Sequence, residues 1–139
     1  DQQQQQKLSY NKLRNRLLKD FKDLLKDGVY LQVQGVGPCQ ICELNLVESI
    51  SKSNEKNNMI IIHSIDNCSN KLCILTRTII SVNIIDLKDC CSSLELIWYC
   101  ENDHTEQVIN LQTEVLDDIE MLRQGLQLLM HASSNSKRN

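Results

Sequence analysis

Three spacings of apolar residues follow one another along the chain. From Tyr10 the spacing is helical. Tyr10, Leu13, Leu17, Phe21 and Leu24 share one face, Leu18 and Leu25 lie beside them, and Lys12, Arg16, Lys19, Lys22 and Lys26 fall mostly off that stripe. Asp27-Gly28 stops the pattern, because glycine tolerates the left-handed conformation that closes a helix. The spacing therefore predicts an amphipathic helix over residues 9–27 with a basic polar face. Gln2 to Gln6 ahead of it is a polar run, and residues 1–8 read as a disordered tail.

After Gly28 the period becomes two. Val29, Leu31 and Val33 alternate with Tyr30, Gln32 and Gln34, and Gly35-Val36-Gly37-Pro38 reads as a turn. A second strand follows, in which Cys39, Ile41 and Glu43 alternate with Gln40, Cys42, Leu44 and Leu46. Ser51 to Asn58 is loop-like. Met59 to Ile65, Leu72 to Leu75 and Thr78 to Ile85 are β-branched runs that predict three more strands. Leu94 to Cys100 is the sixth, with Leu94, Leu96 and Trp98 on one face. Glu101 to His104 reads as a turn, and Gln107 to Gln112 is the seventh strand.

The helical period returns at Thr113, a suitable N-cap. Glu114, Asp117 and Asp118 follow in the first turn, where the helix dipole favours acids. Val115, Ile119, Leu122, Leu126 and Leu129 form a stripe, with Met121 and Leu128 nearby. The spacing predicts a helix over residues 114–131 and a frayed polar tail over 132–139. Seven antiparallel strands lying flat would expose two edges. Bending them into two orthogonal sheets and plugging an open end with an amphipathic helix removes that problem. The expectation is one α+β domain over residues 9–131.

Composition refines this picture in two places. Aromatic residues make up only 4% of the 139, so Ile, Leu and Val must fill the core. The net charge of −3 gives no electrostatic reason to bind nucleic acid, but the charge is uneven. Residues 1–27 carry seven basic and four acidic side chains, and residues 28–139 carry eight basic and fourteen acidic. No secretory signal or membrane-length apolar run is visible. The seven cysteines are odd in number and thinly spread, which points to a reducing setting with most thiols acting as small hydrophobes.

The order of elements resembles the pleckstrin-homology (PH) superfold: a seven-stranded β-sandwich or barrel capped by a C-terminal helix, here with an extra N-terminal helix. "VINLQTEVLDDIEMLRQGLQLLM" resembles the last PH strand running into the capping helix. Leu122 stands where that family usually carries a Trp, and the only Trp here is Trp98 in the sixth strand. "FKDLLKDGVYLQVQGVGPCQICELNLV" is similar to the small acylated PH-like proteins of apicomplexan parasites. One group comprises the inner-membrane-complex sub-compartment proteins; the other is the acylated PH-domain protein of micronemes, which reads phosphatidic acid. The resemblance covers residues 15–131. It implies a non-catalytic adaptor or scaffold at the cytoplasmic face of a membrane, the inner membrane complex. It also implies attachment through myristate and palmitate on a segment ahead of Asp1, since Met-Gly followed by Cys does not occur in these residues.

Candidate chemistry follows from the same residues. PH domains that grip inositol phosphates place Lys and Arg along strand one, the first loop and strand two, because each phosphate takes several charge-assisted donors. Val29 to Ser51 holds no basic residue, and Glu43 and Glu48 would repel an anionic headgroup. A phosphoinositide pocket is not expected there. The alternative is recognition of an anionic phospholipid such as phosphatidic acid through Lys52, Lys56, Lys71 and Arg77. Cys39 and Cys42 form a C-x-x-C, and Cys90-Cys91 could add two thiolates for zinc. Residues i and i+3 of a strand point to opposite faces, however, so no metal is expected. No redox role is expected, because the pair follows a strand turn and not a helix start. His63, His104 and His131 stand without a hydrolase or phosphate-loop motif, so neither catalysis nor a cofactor is expected. The basic helix over 9–27 either lies on anionic lipid or packs its stripe on the acidic body or on a partner chain; Asp20, Asp23 and Asp27 dilute its charge and it lacks Trp, which favours packing. Protein recognition has two routes in this plan: the open edge near strand five, and the groove beside the C-terminal helix.

Overall fold

The computed structural model describes residues 2–34, 40–50, 56–66, 71–86, 92–113 and 116–136. Helix α1 (Gln2–Asp27) leads into strands β1 (Val29–Gln34), β2 (Gln40–Ile50), β3 (Lys56–Ser64) and β4 (Lys71–Leu75). A 3-10 turn at Thr76–Thr78 connects β4 to β5 (Ile79–Asp86), followed by β6 (Ser92–Cys100), β7 (Thr105–Thr113) and helix α2 (Leu116–Ser136).

All seven strands pair antiparallel in the order β4-β3-β2-β1-β7-β6-β5. β1 joins the two halves, pairing β2 on one side and β7 on the other. Laid flat, this sheet would separate β4 from β5 by six strand spacings, about 29 Å. The link from Leu75 to Ile79 reaches at most about 14 Å. The sheet must therefore curl until its two edge strands approach, which produces the PH-like sandwich expected from the element order.

Alternation supplies the inner face. Leu31 and Val33, Cys42, Leu44 and Leu46, Ile60 and Ile62, Ile74, Val82, Leu94, Leu96 and Trp98, and Ile109 and Leu111 are all buried. Helix α2 closes the sandwich with Ile119, Leu122, Leu126 and Leu129, each fully buried. Leu122, standing where the resembled family carries Trp, is therefore a core residue. Two hydrogen bonds fix α2 on the seam between the edge strands: Thr76 Oγ1 with Ser133 Oγ at 2.6 Å, and Gln127 Nε2 to the Val82 carbonyl at 3.1 Å.

The elements differ from the sequence expectation mainly at their ends. α1 begins at Gln2 where a disordered tail was expected, because glutamine is a good helix former and residues 2–8 contain no breaker. β3 begins at Lys56, since Asn57 and Asn58 pair with Ser49 and Glu48 of the long second strand. β5 starts one residue late, after the 3-10 turn, and a register shift between Ile79 and Ser81 turns Ile80 outward. Thr113 ends β7, and α2 runs to Ser136. The turn of the first hairpin, residues 35–38, lies outside the described residues.

Candidate docking groove

The site is built where α1 ends. The Gly28 amide donates to the Leu24 carbonyl at 3.2 Å, and Gly28 has a φ of +102°. That left-handed cap reverses the chain from α1 into β1 and fixes the angle of the helix. Lys26 and Lys22 reach Glu48 of β2 at 2.5 and 3.7 Å. The Glu48 carboxylate raises the Lys26 pKa above its ordinary 10.5, chiefly through the hydrogen bond. Phe21 and Leu25 are the only two α1 side chains that are buried.

Gly125 makes this docking possible. A Cβ at that position would sit 2.2–2.4 Å from three ring atoms of Phe21. The ring therefore rests on bare α2 backbone. From this contact the helices run antiparallel, with Leu24 beside Met121 and Tyr10 beside His131, and they leave a valley between them. At the Phe21 end the valley is an apolar groove of about 290 Å³ with Leu17, Leu24, Met121 and Leu128 among its walls. Toward Tyr10, Arg14 and His131 it widens to about 590 Å³.

The apolar stripe of α1 is thus divided. Its last turns pack as expected, while Tyr10 and Leu13 are 64% and 55% exposed and Leu17 and Leu24 line the groove from above. The sequence pointed to a groove beside the C-terminal helix but not to α1 as its second wall. The α2 wall is Met121, Gly125 and Leu128, a minor stripe beside the core stripe of that helix. The mid-helix glycine was the available signal, since such a residue often marks a close approach.

The other route, the free edge of β5, is partly occupied by α2, because the Gln127 amide takes the Val82 carbonyl. Of the four basic residues considered for lipid, three fall among the described residues. Lys52 lies outside the described residues. Lys71 pairs with His63 near one end of β3, whereas Lys56 begins that strand seven residues away, about 23 Å at strand rise. Arg77 follows β4 and is ion-paired with Glu101 at 2.7 Å. Lys71 is therefore remote from Lys56.

Cys42 is buried between Leu31 of β1 and Ser64 of β3, its register partners, in the role of a small core residue. Cys39, Cys68, Cys90 and Cys91 lie outside the described residues; Cys73 is exposed and Cys100 half-buried. His63 faces outward in a row with Glu43 and Tyr30 across three strands, its Nε2 3.5 Å from Glu43. Glu43 accepts a hydrogen bond from the Tyr30 hydroxyl and raises the phenol's pKa, which makes it a poorer acid. His104 holds the tight turn before β7 with a φ of +57°.

The fold and site together define a PH-like α+β domain: a curled seven-stranded antiparallel sheet, capped by a C-terminal helix and flanked by an N-terminal helix that leaves an apolar groove open. No protein-family model matches the chain, and a comparison with curated proteins finds no significant match. No described helix is long and apolar enough to cross a membrane.

Proposed function

We propose that the protein is a non-catalytic adaptor that takes hold of a partner polypeptide in the groove between α1 and α2. The supporting observation is the apolar groove of about 290 Å³, whose walls come from two helices already fixed to the core. Helix-in-groove recognition needs an apolar trough with rigid walls, and Phe21 on Gly125 gives it a packed floor. Tethering by lipid chains on a segment ahead of Asp1 would hold the adaptor at a membrane, two chains anchoring it stably where one binds reversibly. The resemblance to the inner-membrane-complex sub-compartment proteins suggests the inner membrane complex as that membrane.

Site-specific photo-crosslinking in cells tests the adaptor reading. A crosslinker replacing Met121 should give one defined product that disappears with Leu128→Arg, while a crosslinker at outward-facing Val108 should not give that product. Equal products from both positions would overturn it. So would strong, salt-sensitive sedimentation of this chain with phosphatidic acid vesicles that survives Leu128→Arg, which would assign the lipid-binding alternative instead.

A further inference from the structure

Gly28 ties the C-terminal end of α1 to the body, and the charges of the helix are sorted along its length. Lys12, Lys19 and Lys26 recur every seven residues and so share one face, with Arg16 and Lys22 beside them. The two lysines at the docked end, Lys22 and Lys26, are held by Glu48 of β2. Lys12, Arg16 and Lys19 are exposed and take part in no ion pair among the described residues. None of the three lines the groove. Acids are missing around them. Residues 2–19 of α1 contain no carboxylate, and neither do residues 124–136 of the neighbouring helix α2. The acids of α1, Asp20, Asp23 and Asp27, begin past Lys19, and residues 28–139 carry fourteen acidic side chains against eight basic. The protein is therefore an acidic body with a positive end at the free half of α1.

Resting on the membrane tethering of the proposed function, we infer that this positive end is a membrane contact. Lys12, Arg16 and Lys19 lie against anionic phospholipid headgroups, and the groove stays open to a partner. The three cations stand at i, i+4 and i+7 on the outside of a helix, over about 10 Å, so a flat sheet of charge meets them together. Two lysines and one arginine suit that contact, because lysines attract headgroups as point charges without the bidentate fit of a defined phosphate pocket. Leu8, one turn ahead of Lys12 and 61% exposed, adds an apolar contact that a bilayer interface accepts and a soluble polyanion does not. Repulsion sets the orientation. An anionic surface repels the acidic body and attracts the positive end, within a Debye length of about 10 Å. Without a tether three cations hold weakly, each giving about a fivefold gain in membrane affinity. Joined to a lipid chain, a basic patch acts as the second signal that turns reversible binding into stable anchoring.

The test tethers the whole chain, through an N-terminal polyhistidine tag, to phosphatidylcholine vesicles that carry a nickel-chelating lipid, with or without phosphatidylserine. Phosphatidylserine should raise the affinity about a hundredfold at low salt, from about fivefold for each of the three cations. The gain should vanish near 1 M salt, where screening acts within about 3 Å. Changing Lys12, Arg16 and Lys19 together to Gln, all on the solvated half of α1, should remove it. Leu128→Arg should leave it intact, which separates this surface from the groove. Amine acetylation read by mass spectrometry locates the contact. Lys12 and Lys19 should react more slowly on phosphatidylserine vesicles than on phosphatidylcholine alone, and Lys71, exposed on the body, equally on both. No gain from phosphatidylserine, or a gain that the three-Gln variant keeps, would overturn the inference and leave the groove intact as a site. So would a gain that Leu128→Arg abolishes, which would give the lipid contact to the groove itself. Protection of Lys12 and Lys19 by soluble polyglutamate, with no gain on phosphatidylserine, would assign the positive end to an acidic polypeptide and also overturn the inference.

Discussion

Replacing Gly125 by alanine is a sharp perturbation, because two principles predict opposite signs. At an open helical position Gly→Ala stabilises a protein by about 1 kcal/mol, since alanine loses less backbone freedom. At Gly125 the new methyl would lie 2.2–2.4 Å from the Cγ, Cδ1 and Cε1 atoms of Phe21. Ordinary carbon contact is about 3.5–4 Å, so the ring must retreat by more than 1 Å. Phe21 is 5% exposed, and losing its burial forfeits about 2–3 kcal/mol. Set against the propensity gain, the net effect is a loss of about 1–2 kcal/mol, a fall in Tm of roughly 3–8 °C for a chain of this size. Urea unfolding measures the loss. Limited trypsin digestion reports its location, because release of α1 exposes Lys19 and Lys22 to faster cleavage. In a Phe21→Ala background the clash is absent, and Gly125→Ala should then stabilise by about 1 kcal/mol. A higher urea midpoint for Gly125→Ala in the otherwise unchanged chain would refute the argument for a backbone-level contact.

The two halves of α1 should respond differently to truncation: Leu25→Ala, at a fully buried position, should cost about 2–5 kcal/mol in urea unfolding, and exposed Leu13→Ala less than about 0.5 kcal/mol. Ser64 is buried, and its hydroxyl has no hydrogen-bond partner among the described residues, so Ser64→Ala should raise the urea midpoint, equivalent to about 1 kcal/mol. The Arg123 guanidinium holds the Glu120 carboxyl below its ordinary 4.5 through a hydrogen bond. A depressed folded-state pKa gives stability that is present above 4.5 and lost as pH falls through the folded value, so Glu120→Gln should lower thermal stability at neutral pH, with the two curves converging in acid.

Much of the fold was legible because the period of two is a direct readout of a half-buried sheet. Leu94, Leu96 and Trp98 fall on the buried face as their spacing requires, and so do Leu31 and Val33. The ends of elements were less legible. Gln2 to Gln6 carries no apolar period, yet its intrinsic propensity continues a helix that is already nucleated downstream, where no new nucleation cost applies. Asn57 and Asn58 are poor strand formers, yet they pair because β2 offers a longer template than β3's own residues would specify. Ile80 would fall out of phase in a regular β5, and only the register shift beside it, a tertiary feature, reconciles its exposure with the burial of Ile79 and Val82.

The site was half legible for a related reason. An apolar period says that a face is covered but not by what, nor along how much of its length. In α1 the stripe is continuous in sequence from Tyr10 to Leu25, yet only Phe21 and Leu25 are buried, with Leu18 packed against the core beside them. The division follows from geometry. A helix of 26 residues is about 39 Å long, and Gly28 ties its C-terminal end to β1. Its other end must then run out along α2, whose main stripe of Ile119, Leu122, Leu126 and Leu129 is already spent on the sandwich. Only the minor stripe of Met121, Gly125 and Leu128 remains to meet it, and its central residue has no side chain. Phe21 uses that gap and floors the apolar part of the valley, while Tyr10 and Leu13 of the free half stay exposed.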